Sequence, residues 1–172
     1  MRLLFTLDMK DYDGCTKTFV RDSARSIIIR NGKVAMVHSL MYGHYKFPGG
    51  GIEKGEDPVD AMIRETREEA GLAVIPGTIR EYGYVHRTQR SNRDRNTRYI
   101  QDNYYYFCEV ADEPIGQDLD DYEAEEQYRL EYIDPAVAIQ KNRTVDAPAF
   151  NRVMLEREAL VLELLIAEGY LS

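Results

Sequence analysis

Residues 47–72, FPGGGIEKGEDPVDAMIRETREEAGL, restrict what this chain can fold into more than any other stretch. The three glycines Gly49, Gly50 and Gly51 carry no side chains, so their backbone can approach an ion or a phosphate closely. A helix should follow them. Asp57 is suited to the N-cap and Pro58 to the first helical position, where a missing N–H costs nothing, and Gly71 supplies the usual stop just past the helix end. Tyr42–Phe47 reads as a strand feeding the glycines, which places the whole stretch at a strand-to-helix turn.

Within the predicted helix Glu65, Glu68 and Glu69 are spaced i, i+3 and i+4, so their carboxylates share a face. Val59, Met62, Thr66 and Ala70 fall on a different face, free to pack on a sheet. Three like charges so close repel one another, and a hard divalent cation would relieve that repulsion. Mg²⁺ suits such oxygen ligands, as does Mn²⁺, and both keep coordination positions for water and substrate phosphates. Arg64, four residues before Glu68, can pair with and orient a carboxylate. A solvated acidic face is the blander account of clustered Glu, but it leaves the glycines and Arg64 unexplained.

Gly50, Glu56, Arg64-Glu65, Glu68-Glu69, Gly71 and Leu72 recur at the spacing of the Nudix box, and the chain resembles that family over about residues 25–168. Thr66 stands where an aliphatic residue is usual. The resemblance implies a Nudix-like α/β/α sandwich, with a mixed β-sheet, the motif helix on one face and the C-terminal helix on the other. It also implies hydrolysis of a nucleoside diphosphate linked to another moiety. The family's metal positions fall on Glu65, Glu68 and Glu69, with the Gly49 carbonyl and Glu53 as further candidates. Glu65 carries the catalytic assignment together with Arg64, while Glu56 and Arg64 support the loop and its ligands.

Many members take a general base from a carboxylate outside the box. The candidates here are Glu123, Glu125 and Glu126, with Glu126 preferred because it directly precedes a predicted strand, and Glu109 as the other possibility. The positions at which relatives specific for ADP-ribose or dinucleoside polyphosphates carry a proline or a tyrosine are here Arg87, Thr88, Gln89 and Arg90. Neither signature is met, so a nucleoside triphosphate, a nucleotide sugar and ADP-ribose all stay open. A catalytically inactive nucleotide-binding or regulatory protein and an RNA-end pyrophosphohydrolase are the alternatives.

A length of 172 residues suits one domain, 1–172, in which residues 1–24 form an N-terminal extension or edge strands. The net charge of −8 disfavours general binding to a nucleic-acid backbone, so no DNA binding is expected and a small-molecule nucleotide is the expected partner. A homodimer is compatible with this reading. Two widely separated cysteines, Cys15 and Cys108, and an N-terminus unlike a signal peptide point to a cytoplasmic protein with reduced thiols. No stretch is apolar for long enough to span a membrane.

Along the rest of the chain, Asn31-Gly32 predicts a hairpin between residues 25–30 and 33–38. Residues 73–75, 79–88, 99–110 and 127–133 read as strands. TQRSNRDRNTR, residues 88–98, holds no apolar residue and reads as a loop, and residues 112–126 as a second, acidic one. Asp134-Pro135 begins a short helix, and Asp146 with Pro148 a longer one. The basic segment Arg87 to Arg98 makes Arg87, Arg90 and Arg93 candidates for substrate phosphates, with His86 and Tyr84 on the preceding strand.

Overall fold

The computed structural model describes residues 1–172 and contains two β-sheets between helical layers. The larger sheet is built from β1 (Leu3–Asp8), β2 (Lys17–Val20), β3 (Ser23–Ile27), β7 (Gly49–Gly51), β8 (Arg80–Arg90) and β9 (Thr97–Phe107). Its order is β1-β8-β9-β3-β7, and β2 lies beside the first part of β9 as β3 lies beside the rest. Pairings of both senses occur, β8 with β9 antiparallel and β3 with β9 parallel, so the sheet is mixed. The smaller sheet joins β4 (Ile29–Arg30), β5 (Lys33–Ser39), β6 (Tyr45–Lys46) and β10 (Tyr128–Ile133). The chain passes from one sheet to the other at Ile28, between β3 and β4.

Strand alternation sends side chains to both faces. Ile27, Val34, Met36 and Tyr105 join Val161, Leu162 and Leu165 of the C-terminal helix α4 (Ala149–Ala167) in one core, with Ala138 of α3 (Pro135–Thr144). Ala24, Ala35 and Tyr106 join Ala61, Met62 and Ala70 of α1 (Pro58–Ala70) in the other. The result is the α/β/α sandwich that the sequence suggested, with α1 and α4 on opposite faces.

The motif helix begins and ends as expected. The Asp57 side chain accepts from the Val59 N–H, Pro58 opens the helix, and Gly71 adopts φ 65° while its N–H returns to the Arg67 carbonyl. Asp57→Ala should therefore cost about 1 kcal/mol of stability, read as a lower urea midpoint with an unchanged slope. The turn at Asn31-Gly32 also forms, both residues having positive φ as a two-residue turn requires, but of residues 25–30 only Ile29–Arg30 pair with β5, since residues 25–27 belong to β3 of the larger sheet. Thr66 is fully buried and donates to Ser26 Oγ at 3.0 Å, so its hydroxyl has a partner on β3 where an aliphatic side chain would have none.

Several boundaries differ from expectation. Residues 88–98 are part strand and part loop: β8 runs to Arg90, β9 starts at Thr97, and the loop expected there is shortened to residues 91–96. Polar residues continue this ladder because the N-terminal segment satisfies them; the Arg90 N–H donates to Asp11 Oδ1, and its guanidinium to the carbonyls of Asp11, Asp13 and Arg95. Residues 73–75 contribute only an isolated bridge, Val74 to Val110, and the strand before the glycines is confined to Tyr45–Lys46. The acidic segment contains a short helix, α2 (Asp121–Glu125), closed by a capping box between Asp120 and Glu123. Asp146 does not cap α4, whose N-cap is Pro148. No helix is long and apolar enough to cross a membrane.

Candidate active site

The glycine turn is fixed by contacts that leave no room for side chains. At Gly49, φ is 145° and a Cβ would lie 2.2 Å from the Ala24 carbonyl oxygen; at Gly50 a Cβ would lie 2.5 Å from the Glu65 carboxylate. The turn therefore lies directly against the acidic face of α1. Arg64 organises that face: Nε and Nη2 reach Glu56 at 2.8 and 2.9 Å, Nη1 reaches Glu65 at 2.7 Å and Glu68 at 3.2 Å, and Nη2 also donates to the Gly51 carbonyl at 3.1 Å. The Arg64 bonds hold the Glu56 carboxyl below the ordinary range, and burial pushes the Glu65 carboxyl up despite Arg64. Glu56 in turn accepts from the Glu53 N–H, which ties the loop to the helix.

Glu69 behaves differently from its neighbours. It is 1% exposed, accepts from the Gly49 N–H at 2.9 Å and forms a buried ion pair with Lys46. The Lys46 ammonium also lies 4.6 Å from the centre of the Tyr128 ring. Consequently the three motif carboxylates do not stand as a ready-made cage: no three His, Cys, Asp or Glu side chains form a ligand-like cluster. Glu65 and Glu68 converge on one Arg64 nitrogen. These hard oxygen donors beside a side-chain-free Gly50 suit a divalent cation. The Gly49 carbonyl accepts from Arg25 Nη1 at 3.2 Å, and Glu53 is exposed on the loop without a side-chain hydrogen bond.

In front of the turn is a cleft of about 330 Å³ with Gly49, Gly50, Lys46, Glu69 and Glu126 on its walls. Glu126 follows α2, accepts from Ser39 Oγ at 3.2 Å and lines this cleft, whereas Glu125 is exposed. Glu123 is buried, accepting from the Asp120 N–H and the Tyr122 hydroxyl. Glu109 lies past the end of β9, where its N–H meets Thr78, outside the cleft.

Of the basic candidates only Arg87 enters the cleft. Val85, Arg87 and Gln89 share the face of β8 turned to α4; Tyr84 and His86 take the opposite face, where His86 pairs with Asp102 at 2.7 Å and Tyr84 lies beside Tyr104. The period of two along a strand separates them, so Tyr84 and His86 are not brought into the cleft. Arg90 is held by the N-terminal segment, and Arg93 lies in the turn at residues 91–96, also outside it.

Sequence reasoning missed the cleft's floor. Arg21, Arg25 and Arg157 line it, together with Tyr99, Phe150 and His44. Burial and the nearby Lys46 charge lower the His44 pKa to about 4, so it is neutral at pH 7. Arg157 and Glu158 are both fully buried and joined at 2.6 Å; Glu158 also accepts from the Phe47 N–H at 2.7 Å and from the Tyr105 hydroxyl at 3.2 Å. Burial pushes the Glu158 carboxyl up, but the charges of Arg157 and Arg25 outweigh it and hold it below its ordinary range. Arg157 and Glu158 on the otherwise apolar face of α4, and Arg25 just before the apolar run of residues 27–29, were the available signals.

A NUDIX domain model matches residues 20–153. A solved NUDIX hydrolase from Nitrosomonas europaea superposes with a TM-score of 0.57 at 20% identity, covering 82% of this chain and 90% of that one. The RNA pyrophosphohydrolase of Psychrobacter cryohalolentis is 46% identical over 48 residues, 27% of this chain and 28% of that protein. That of Halorhodospira halophila is 32% identical over 87 residues, 47% of this chain and 48% of that protein. The chain thus spans less than half the length of these curated relatives. With the complete box seated at a strand-to-helix turn and the domain model covering most of the chain, the protein belongs to the Nudix family.

Proposed function

We propose that this protein hydrolyses the pyrophosphate bond of a nucleoside diphosphate linked to a further group, with Mg²⁺ or Mn²⁺ as cofactor. The observation that carries this reading is a cleft with Glu69 and the glycine turn that packs on Glu65 at one end and Lys46, Arg21, Arg25 and Arg87 around its floor, in a protein of net charge −8. A cationic floor attracts a phosphorylated substrate despite the overall charge, because a low-dielectric concavity concentrates local field.

Glu65 and Glu68, with Glu69 after release from Lys46, would hold the cation. When bound, it supplies charge neutralisation at the pyrophosphate oxygens and acidifies a water molecule. Lys46, freed from Glu69, can donate to a substrate phosphate. Glu126 accepts the proton of the attacking water on its carboxylate, held by the bond from Ser39. Arg64 keeps Glu65 and Glu68 oriented without touching substrate. Glu126→Gln should lower kcat about a hundredfold with metal affinity unchanged, whereas exposed Glu125→Gln should have little effect. Equal loss in both variants would remove Glu126 from this role.

Unpaired Cys15 and Cys108 support a cytoplasmic setting. A second reading, hydrolysis at a triphosphorylated RNA end, is favoured by the names of the relatives. A panel of nucleoside triphosphates, nucleotide sugars, ADP-ribose and a 5′-triphosphorylated oligoribonucleotide, incubated with Mg²⁺ and analysed for products, tests both. Inorganic pyrophosphate and pairs of monophosphate esters distinguish the classes, and no turnover of any member would point to a binding protein instead.

A further inference from the structure

Arg25 and Arg87, on the face of the larger sheet turned to α4, and Arg157, on α4 itself, are each at least nine-tenths buried, at 6%, 3% and 1% exposure. Only one carboxylate, Glu158, stands among them: Arg157 pairs with it closely, Arg25 approaches it at 3.9 Å, and Arg87 has no acidic partner. Arg25 Nε is buried without any hydrogen-bond partner. Arg87 donates to the Gln89 side chain at 3.0 Å and to the Phe150 carbonyl at 2.8 Å, and its guanidinium lies 4.6 Å from the Phe150 ring centre and 5.6 Å from that of Tyr99. Burial and the neighbouring positive charges disfavour its charged form. Uncompensated buried cations are costly, and the loss is recovered when an anion arrives.

The strand register sets where that anion sits. Arg25 is level with Tyr105 of β9 and beside the glycine turn, while Arg87 is level with Gln101, four residues away along β9. At a rise of about 3.3 Å per residue the two backbones are offset by roughly 13 Å along the strand, so the two side chains enter the floor at different points along its length. Arg157 fills the interval, its Nη1 reaching Gln101 and Asn103.

We propose that Arg87 is the centre of a second anion subsite, which takes a phosphate monoester carried by the substrate on the side remote from the bond that is cut. The substrate then lies along β9, its pyrophosphate between the motif carboxylates and Arg25, its far phosphate on Arg87 against Tyr99 and Phe150. This deepens the hydrolase reading and rests on it for the orientation, but the subsite itself needs no catalysis.

Calorimetric titration of the metal-free protein with AMP and with adenosine 3′,5′-bisphosphate or 2′,5′-bisphosphate tests the subsite directly. At least one bisphosphate is expected to bind roughly tenfold or more tightly than AMP, the range of a charge-assisted bond. Arg87→Gln should abolish that difference, and Arg80→Gln, on the same strand but outside the cleft, should preserve it as a control for general charge. Equal affinity for AMP and both bisphosphates in the wild-type protein would overturn the proposal and leave Arg87 as a tie to the Phe150 carbonyl. Measurement on the wild-type chain keeps this outcome available even if Arg87→Gln fails to fold. Hydrolysis with no bisphosphate preference would reject the subsite alone, and a preference without hydrolysis would reject the hydrolase reading alone.

Discussion

Glu69→Gln is expected to lower kcat/KM on the order of a thousandfold and to destabilise the fold at the same time. The catalytic loss follows from removing a formal charge from the carboxylate set that would neutralise a divalent cation. The loss of stability follows from the buried pair with Lys46. Charge repulsion along α1, read from sequence alone, predicts the opposite: removing one of three carboxylates should relieve the metal-free helix. The structure reverses that sign, because Lys46 already neutralises Glu69 and would be left buried and unpaired. Breaking a buried pair costs about 3–5 kcal/mol, and the lower end applies since a glutamine oxygen can still accept from the Gly49 N–H and Lys46. Urea denaturation and steady-state kinetics on one preparation read both effects. A more stable Glu69→Gln protein would show that repulsion, not the Lys46 pair, governs this position.

Glu158→Gln is expected to cost about 3–5 kcal/mol, since it leaves Arg157 fully buried without a counter-charge. Its pH signature identifies the cause. The folded carboxyl titrates below its ordinary range, so on acidification the unfolded chain takes up the proton first. The stabilisation is complete above the ordinary carboxylate range and is lost as pH falls through the depressed folded value. The difference in stability between wild type and variant should thus be constant near neutrality and shrink in acid. A difference independent of pH down to strong acid would mean that packing, rather than charge, holds this position.

How much was legible in the sequence depended on whether the signal was local. The motif helix, its caps and the Asn31-Gly32 turn follow from spacing within one segment, and the placement of α1 and α4 on opposite faces from the resemblance to the Nudix family. The extent of β8 did not, because Arg90 at its end is satisfied by Asp11 and Asp13, some eighty positions away. Separation in sequence also hid the Lys46–Glu69 pair and the Arg25, Arg157 and Glu158 group, in which Arg25 meets the other two only when β3, β9 and α4 pack together. Candidates chosen by position in a basic run divided by strand face: Arg87 turned inward, Tyr84 and His86 turned away, and Arg90 was taken up by the N-terminal segment.

The central claim, that water cleaves a pyrophosphate bond in this cleft, is tested most directly by turnover of the preferred nucleotide with Mg²⁺ in ¹⁸O-labelled water, with mass analysis of the products. The account predicts one ¹⁸O on one phosphorylated product, dependence on the divalent ion, and loss of labelled product in Glu69→Gln. Turnover that is undiminished in Glu69→Gln, or products that carry no label on phosphorus, would contradict it.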